Sequence, residues 1–108
     1  MTRNGVRQTK HCESLAEVRV EIDQLDRAIV TLLAERGGYV LQAARFKHDA
    51  AAVHAPDRVE QVVAGVRALA GELGADPDVV EQGYRALIRA YTEAELREHA
   101  ALGGKAQP

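Results

Sequence analysis

The chain has 108 residues, of which 46% are hydrophobic and 28% charged, and its formal net charge is −2. These proportions are typical of a single soluble domain, and the length excludes a two-domain enzyme. No run approaches the roughly 18 consecutive apolar residues that span a bilayer, and the polar N-terminal residues lack the apolar core of a secretory signal. A near-neutral chain also lacks the basic excess typical of nucleic-acid binding. We therefore expect a cytoplasmic protein that binds neither nucleic acid nor a membrane.

The cysteine and aromatic contents narrow the fold class. Cys12 is the only cysteine, which excludes a disulfide framework and a cysteine-based zinc site and suits a reducing compartment. With three tyrosines, one phenylalanine and no tryptophan, the core must consist mainly of Leu, Val, Ile and Ala. That composition favours helices, and because no segment alternates apolar and polar residues as a strand does, we expect an all-α chain.

The first predicted helix begins at a capping box. Between Ser14 and Glu17, the serine hydroxyl accepts from the backbone N–H three residues on, and the glutamate reaches back. Apolar residues then recur at alternating spacings of three and four, the heptad pattern of a helix seam. The seam consists of Leu15, Val18, Ile22, Leu25, Ile29, Leu32, Tyr39, Ala43 and Phe46. Gly37 and Gly38 interrupt it, and we expect a bend or a close helix contact there rather than an end.

This helix is too long for one small chain to cover. Residues 14–47 would extend for about 50 Å, whereas a compact domain of this size has a radius of gyration of ~13 Å. The rest of the chain supplies too little apolar surface to bury the seam. We therefore expect a homodimer in which a second copy packs along the first helix.

A second helix is predicted to begin after Ala55-Pro56-Asp57 and to end at Gly74. Proline suits the first helical turn, the carboxylate of Asp57 complements the helix dipole, and glycine is typical of a helix end. The predicted buried face consists of Val59, Val62, Val63, Val66, Leu69 and Ala70.

A third helix is predicted from the same start signal, which recurs at Asp76 and Pro77. Its predicted buried stripe consists of Val80, Tyr84, Leu87, Ile88 and Tyr91. We expect one helical domain over residues 14–101, in which three helices include a long first one, with flexible segments over 1–13 and 102–108.

Charged residues that fall on apolar positions are the candidate site residues. Arg36 occupies a seam position, where a cation must pair with a carboxylate of another subunit or hold an anion. Lys47 lies about 20° from Arg36 around the same helix, roughly three turns on, so two cations share one face. Arg19 lies about 100° away around the axis and would reach the same point only from a dimer partner. The alternative for Arg19 is a solvated side chain that pairs with Asp23.

The candidates in the rest of the chain are weaker. Glu95 lies on the edge of the third helix's apolar stripe, where it is either a buried carboxyl or an exposed surface glutamate. Arg58 either points at an anion near the start of the second helix or lies on the helix surface. His48 and His54 match no metal-ligand spacing, so we interpret them as solvated loop residues.

Five short segments agree in order and spacing with one known family. They are Leu15-Ala16-Glu17-Val18-Arg19, Ile22-Asp23, Leu33-Ala34-Glu35-Arg36, Arg45-Phe46-Lys47 and Ala55-Pro56-Asp57-Arg58-Val59. Together they resemble the all-α family of chorismate mutases, and the resemblance runs over residues 15–98. It implies an interlocked helical homodimer with two active sites, each completed by an arginine from the partner's long first helix.

The resemblance also implies a role for each candidate. Arg19 of one chain and Arg36 of the other would hold the two carboxylates of chorismate. Lys47 would bind a carboxylate and the bridging ether oxygen, Glu95 would face that oxygen from the other side, and Arg58 would line the pocket. No cofactor or metal is implied, because an intramolecular rearrangement to prephenate needs only a compact conformer and stabilisation of charge on the ether oxygen.

Three positions depart from typical mutases. Ala55 and Val59 stand where many members carry acidic residues near the substrate's ring hydroxyl, and Tyr91 replaces a small hydroxyl residue. These features resemble the isochorismate-pyruvate lyase branch of the same fold, which makes salicylate and pyruvate. Glu95 instead matches mutases with glutamate at that position, and we expect it to act protonated, because an ionised carboxylate would repel the substrate. Residues 50–55 are expected to form a loop that closes over the substrate.

We therefore expect a chorismate mutase, an isomerase of aromatic amino acid biosynthesis. The alternative within the same fold is an isochorismate-pyruvate lyase, and amino-substituted chorismates are a further substrate class. A non-catalytic regulatory or binding dimer is the alternative from another functional class, although retention of all four cations argues against it.

Overall fold

The computed structural model describes residues 2–3 and 6–106, with side chains over 6–101. The elements in chain order are β1 (Thr2–Arg3), β2 (Val6–Arg7), α1 (Leu15–Ala44), α2 (Ala50–His54), α3 (Pro56–Leu73) and α4 (Pro77–Ala106). The three predicted helices are α1, α3 and α4, so the all-α class and the long first helix are confirmed. No helix within the described residues is long and apolar enough to cross a membrane.

The described residues also contain one short strand pair near the N terminus, which the sequence did not predict. Strands β1 and β2 pair antiparallel, with Thr2 opposite Arg7 and Arg3 opposite Val6. Each strand has two residues, too few for alternation of apolar and polar side chains to be visible in the sequence.

Helix α1 begins as the capping box predicts. Ser14 Oγ accepts from the Glu17 N–H at 3.1 Å, and a Glu17 carboxylate oxygen accepts from the Glu13 N–H at 2.8 Å. The helix continues through Gly37 and Gly38 and ends at Ala44, three residues before the predicted end. The next three N–H groups bond to carbonyls three residues back, so the chain tightens into a turn as it leaves the helix.

The segment predicted as a loop forms the short helix α2. Asp49 caps it, because its Oδ1 accepts from the Ala52 N–H at 2.9 Å. Ala55 ends α2 in the left-handed conformation, with φ 37° and ψ 63°, and Pro56 begins α3 directly after it. One residue in a strained backbone conformation therefore separates the two helices.

Helices α3 and α4 form a hairpin with the predicted end signals. Gly74 ends α3 with φ 77°, and its N–H donates to the Ala70 carbonyl. Asp76 Oδ1 accepts from the Asp78 N–H at 2.9 Å before α4 begins at Pro77. Helix α4 continues to Ala106, beyond the expected end at residue 101, and residues 107 and 108 lie outside the described part.

A charged network joins the two helices of this hairpin. Arg85 on α4 donates to Glu60 on α3 at 2.9 and 3.0 Å and to Glu81 at 2.7 Å. These hydrogen bonds lower the pKa of both glutamates. Because their folded-state pKa values are depressed, the network stabilises the hairpin above the unfolded pKa, and this stabilisation is lost as the pH falls through the folded values.

The buried core of one chain is small. Among residues 6–101, the buried apolar ones are Ala44, Val53, Val63 and Ala70. In contrast, the first six seam residues of α1, from Leu15 to Leu32, are each between 38% and 63% exposed. The chain measures 63 × 26 × 20 Å and has a radius of gyration of 17.7 Å, well above the ~13 Å expected of a compact domain. One chain therefore leaves the predicted seam uncovered.

Replacing Ala55 with glycine should stabilise the protein, because glycine adopts a positive φ without steric cost. We expect Ala55→Gly to raise the free energy of unfolding by up to about 1 kcal/mol in chemical denaturation at fixed protein concentration. The control is Ala64→Gly inside α3, which should lower it by about 1 kcal/mol. A destabilised Ala55→Gly variant would contradict the strain at this turn.

Candidate active site

A cavity of about 320 Å³ opens where the C-terminal half of α1, helix α2, the start of α3 and the middle of α4 meet. Six of the seven predicted site residues line it, namely Arg36, Lys47, Arg58, Val59, Tyr91 and Glu95. The seventh, Arg19, does not. The charged residues that broke the helical pattern are therefore brought together from three helices and one turn.

Lys47 and Glu95 form an ion pair inside the cavity. Lys47 Nζ donates to Glu95 Oε2 at 2.5 Å. The Glu95 side chain is 8% exposed and that of Lys47 is 25% exposed, so the buried alternative for Glu95 is the correct one. A buried carboxylate is costly without a cation beside it, so the Lys47 ammonium stabilises the buried Glu95 and links the turn after α1 to α4.

Arg36 lies between two aromatic rings of α4. Its guanidinium carbon is 5.7 Å from the centroid of Tyr84 and 5.8 Å from that of Tyr91. None of the ion pairs in the described part of the chain involves Arg36. The faces of the rings attract the cation and restrict its motion, while its hydrogen-bond donors stay available for an anion.

Tyr91 also fixes the contact between α1 and α4. Its hydroxyl donates to the Leu33 carbonyl at 2.8 Å. The ring packs directly on Gly37, where an added Cβ would lie 2.9 Å from the hydroxyl oxygen. The close helix contact expected at the glycine pair is confirmed at Gly37, whereas a Cβ at Gly38 would meet nothing within 4 Å.

The α2 and α3 side of the cavity is largely apolar. Val53, Val59 and Val62 line it, together with Ala55. Arg58 lies at the exposed edge and donates to Gln61 Oε1 at 2.6 Å. Arg58 therefore lies on the helix surface, as one of the two alternatives predicted, and also lines the cavity.

His54 lines the same cavity although it is exposed. His54 is solvated, as predicted, but it lies at the end of α2 rather than in a loop, and its place beside the cavity was not predicted. Among the described residues, no group of three His, Cys, Asp or Glu side chains could hold a metal ion.

Arg19 lies far from this cavity within its own chain. It is exposed on the N-terminal half of α1, seventeen residues before Arg36, which corresponds to about 25 Å along the helix. Within the described residues it forms no ion pair, and in particular none with Asp23. One chain therefore cannot bring Arg19 to the cavity.

The fixed charges of the cavity favour an anion. Arg36, Lys47 and Arg58 supply three cations, and Glu95 supplies the single carboxylate among the lining residues. The cations outnumber the carboxylate, so the lining attracts a small anion.

Comparison with known proteins decides the family. Residues 18–96 match the family described as chorismate mutase type II. The chain belongs to this family. It is thus an enzyme of the chorismate mutase family, an isomerase or a lyase, whose substrate is a small molecule.

Individual relatives carry two different names. The chain is 36% identical over 86 residues to the isochorismate pyruvate lyase of Pseudomonas aeruginosa, which covers 80% of this chain and 85% of that protein. It is 31% identical over 105 residues to the T-protein of Enterobacter agglomerans and 33% identical over 78 residues to that of Haemophilus influenzae. These alignments cover 86% and 71% of this chain but 28% and 21% of the T-proteins, so the chain spans about a quarter of their length.

In this member of the chorismate mutase family, Tyr84 contacts the site residue Arg36, a role that was not predicted from the sequence. It was assigned to the buried stripe of the third helix, whereas its ring faces Arg36. An aromatic residue seven positions before Tyr91 lies on the same helix face, and that spacing was the available signal.

Adding a methyl group at Gly37 should disturb both the helix contact and the site. We expect Gly37→Ala to lower the free energy of unfolding by roughly 1–3 kcal/mol, because the new Cβ displaces the Tyr91 ring. Gly65→Ala in α3, where a Cβ meets nothing within 4 Å, is the control and should raise it by up to about 1 kcal/mol. Equal stability of Gly37→Ala and the wild type in urea denaturation would refute the contact.

Proposed function

We propose that the protein is a chorismate mutase that rearranges chorismate to prephenate in this cavity without a cofactor. The observation that carries the proposal is the Lys47–Glu95 pair, which sits inside a cavity whose charge suits a dicarboxylate. Chorismate is a dianion, and its rearrangement breaks a carbon–oxygen bond of the bridging ether while a carbon–carbon bond forms. Catalysis therefore needs a held conformer and donors at the ether oxygen, both of which side chains supply.

Arg36 is the proposed carboxylate clamp. Guanidinium donors form a planar fork that matches a carboxylate, and the rings of Tyr84 and Tyr91 orient this fork before the substrate arrives. Since the orientation exists in advance, little side-chain entropy is lost when the carboxylate binds. Arg58 at the cavity edge adds a second cation on the substrate's path.

Lys47 and Glu95 are the proposed donors to the ether oxygen. The Lys47 ammonium has three N–H donors and uses one in the hydrogen bond to Glu95, so the other two can reach a substrate carboxylate and the ether oxygen. Negative charge grows on that oxygen as its bond to carbon breaks, and the ammonium stabilises this charge more in the transition state than in the ground state. Glu95 contributes as a second donor only when its carboxyl carries a proton.

A homodimer is the proposed assembly. The apolar seam of α1 from Leu15 to Leu32 supports this assembly, because one chain leaves it exposed. A second copy packed along this seam would cover it, and the partner's Arg19 would approach the cavity that the same chain's Arg19 cannot reach. In this arrangement, Arg19 binds the second carboxylate of the substrate.

Isochorismate-pyruvate lyase activity is the second candidate function. It is favoured by the 36% identity to the Pseudomonas aeruginosa lyase and by the apolar residues Ala55 and Val59, which leave the ring-hydroxyl side without a carboxylate. The same cations would serve the elimination, because its ether oxygen also gains charge as pyruvate departs. The cavity's charges are thus compatible with both reactions.

Product analysis separates these functions. Purified protein is incubated with chorismate and, separately, with isochorismate, and prephenate, salicylate and pyruvate are quantified. The proposal expects prephenate from chorismate as the dominant activity. Salicylate with pyruvate as the dominant products would instead establish the lyase, and a folded protein that converts neither would point to amino-substituted chorismates or to a regulatory role.

A pair of substitutions at Glu95 tests its role as a donor. Glu95→Gln places an amide N–H donor at the same point, so its kcat/KM should stay within about threefold of the wild type. Glu95→Ala removes this group and leaves the Lys47 ammonium without its partner, so its kcat/KM should fall by about 10²-fold. Both values are measured at one fixed pH with limiting substrate. Wild-type kcat/KM in Glu95→Ala would remove Glu95 from the mechanism.

A further inference from the structure

His99 contacts the residue that carries the proposed chemistry. It lies on α4 one turn after Glu95, and its ring Nε2 is 2.7 Å from the backbone carbonyl oxygen of Lys47. A carbonyl oxygen only accepts, so Nε2 carries the proton and donates. Both the neutral Nε2–H ring and the protonated ring make this bond. His99 is half-buried and lies outside the cavity lining, so the ring itself does not contact a substrate.

The Lys47 backbone needs such a partner because it lies beyond α1. The helix ends at Ala44, and the Lys47 N–H reaches the Ala44 carbonyl across 3.4 Å, a long bond for a backbone turn. Regular structure resumes after Asp49, the cap of α2. Lys47 is thus the last residue of a loose turn, and the hydrogen bond from His99 ties that turn to α4.

Two residues of one α4 face therefore hold opposite ends of Lys47. Glu95 accepts from the ammonium, and His99, four residues on, donates to the main-chain carbonyl. When an anionic substrate draws the ammonium away from Glu95, the side-chain contact weakens. The backbone contact does not involve the ammonium, so it persists and keeps the lysine stem in place.

We propose that His99 is a positioning residue that fixes the Lys47 backbone so that its ammonium stays directed at the reacting oxygen of the substrate. The inference rests on the proposed function and deepens it. Because misplacement of a reacting group by about 1 Å can cost up to about 10²-fold in rate, losing this bond should act mainly on the chemical step. Substrate affinity should change little, because Arg36 holds the carboxylate independently.

A matched pair of substitutions tests the role. His99→Gln keeps an N–H donor at a similar reach, whereas His99→Met has a similar length but no donor. We expect His99→Met to lower kcat about tenfold with KM within about twofold, and His99→Gln to stay within about threefold of the wild type. Thermal unfolding of both variants checks that they are folded. A His99→Met enzyme with wild-type kcat, or a His99→Gln enzyme as slow as His99→Met, would overturn the proposal.

A double-mutant cycle distinguishes positioning from a general structural effect. Lys47→Ala should lower kcat by about 10²-fold or more, since it removes the donor to the transition state. If His99 acts through that lysine, adding His99→Met to Lys47→Ala should leave the residual rate unchanged. A further tenfold loss in the double variant would show that His99 supports the fold of the site in general and would overturn the positioning role.

The positioning claim can also be tested without turnover, which separates it from the proposed function. Nitrogen NMR should show His99 with a protonated Nε2, and the Lys47 Nζ resonance should shift in His99→Met but not in His99→Gln. A ring without the Nε2 proton, or an unchanged Lys47 resonance in His99→Met, overturns the claim whichever substrate is used. If the wild type converts neither chorismate nor isochorismate, the proposed function fails, and these resonances alone decide whether His99 positions Lys47.

Discussion

The long helix α1 imposes the constraint on which the rest of the structure depends. Its C-terminal half packs on α4 through the contact of Gly37 with the Tyr91 ring, and this contact places Arg36 and Lys47 at the cavity. Its N-terminal half carries an apolar seam that its own chain does not cover. At about 25 cal/mol for each Å² of apolar surface removed from water, covering such a seam is a strong driving force for association. The helix that carries Arg36 into the site is therefore also the helix whose apolar seam one chain leaves exposed.

Local features of the fold were predictable from the sequence because they depend on neighbouring residues. Three helix termini were predicted correctly from residues within a few positions of them. These are the start of α1 at Ser14 and Glu17, the end of α3 at Gly74 and the start of α4 at Pro77. The helix α2 was missed because a five-residue helix shows too little periodicity, although Asp49 before three alanines was a usable cap signal. The left-handed Ala55 carried no signal, since alanine rarely adopts that conformation.

The site was predictable where a charge interrupted an apolar pattern, and unpredictable where two distant elements meet. Arg36 and Glu95 stood out because burial of a lone charge is costly, so each implied a partner or a ligand. The ion pair of Lys47 with Glu95 and the bond from His99 join residues 48 and 52 positions apart, and no periodicity within one helix specifies such contacts. Tyr84 was correctly predicted to lie on the apolar stripe of α4. Its contact with Arg36 was not predicted, because the orientation of the ring depends on how α1 crosses α4.

Mixing two inactive variants tests the proposal that Arg19 of a second chain completes each site. Arg19→Ala and Lys47→Ala chains are unfolded and refolded together, so that mixed dimers contain one site with both wild-type residues. We expect recovery of about a quarter of wild-type activity, since half of the dimers would carry one intact site of two. Arg36 and Lys47 both belong to the cavity of their own chain. In a mixture of Arg36→Ala with Lys47→Ala, every cavity therefore lacks one of the two residues, and no activity should be recovered. No recovery in the first mixture, or full activity of Arg19→Ala alone, would contradict a site shared between two chains.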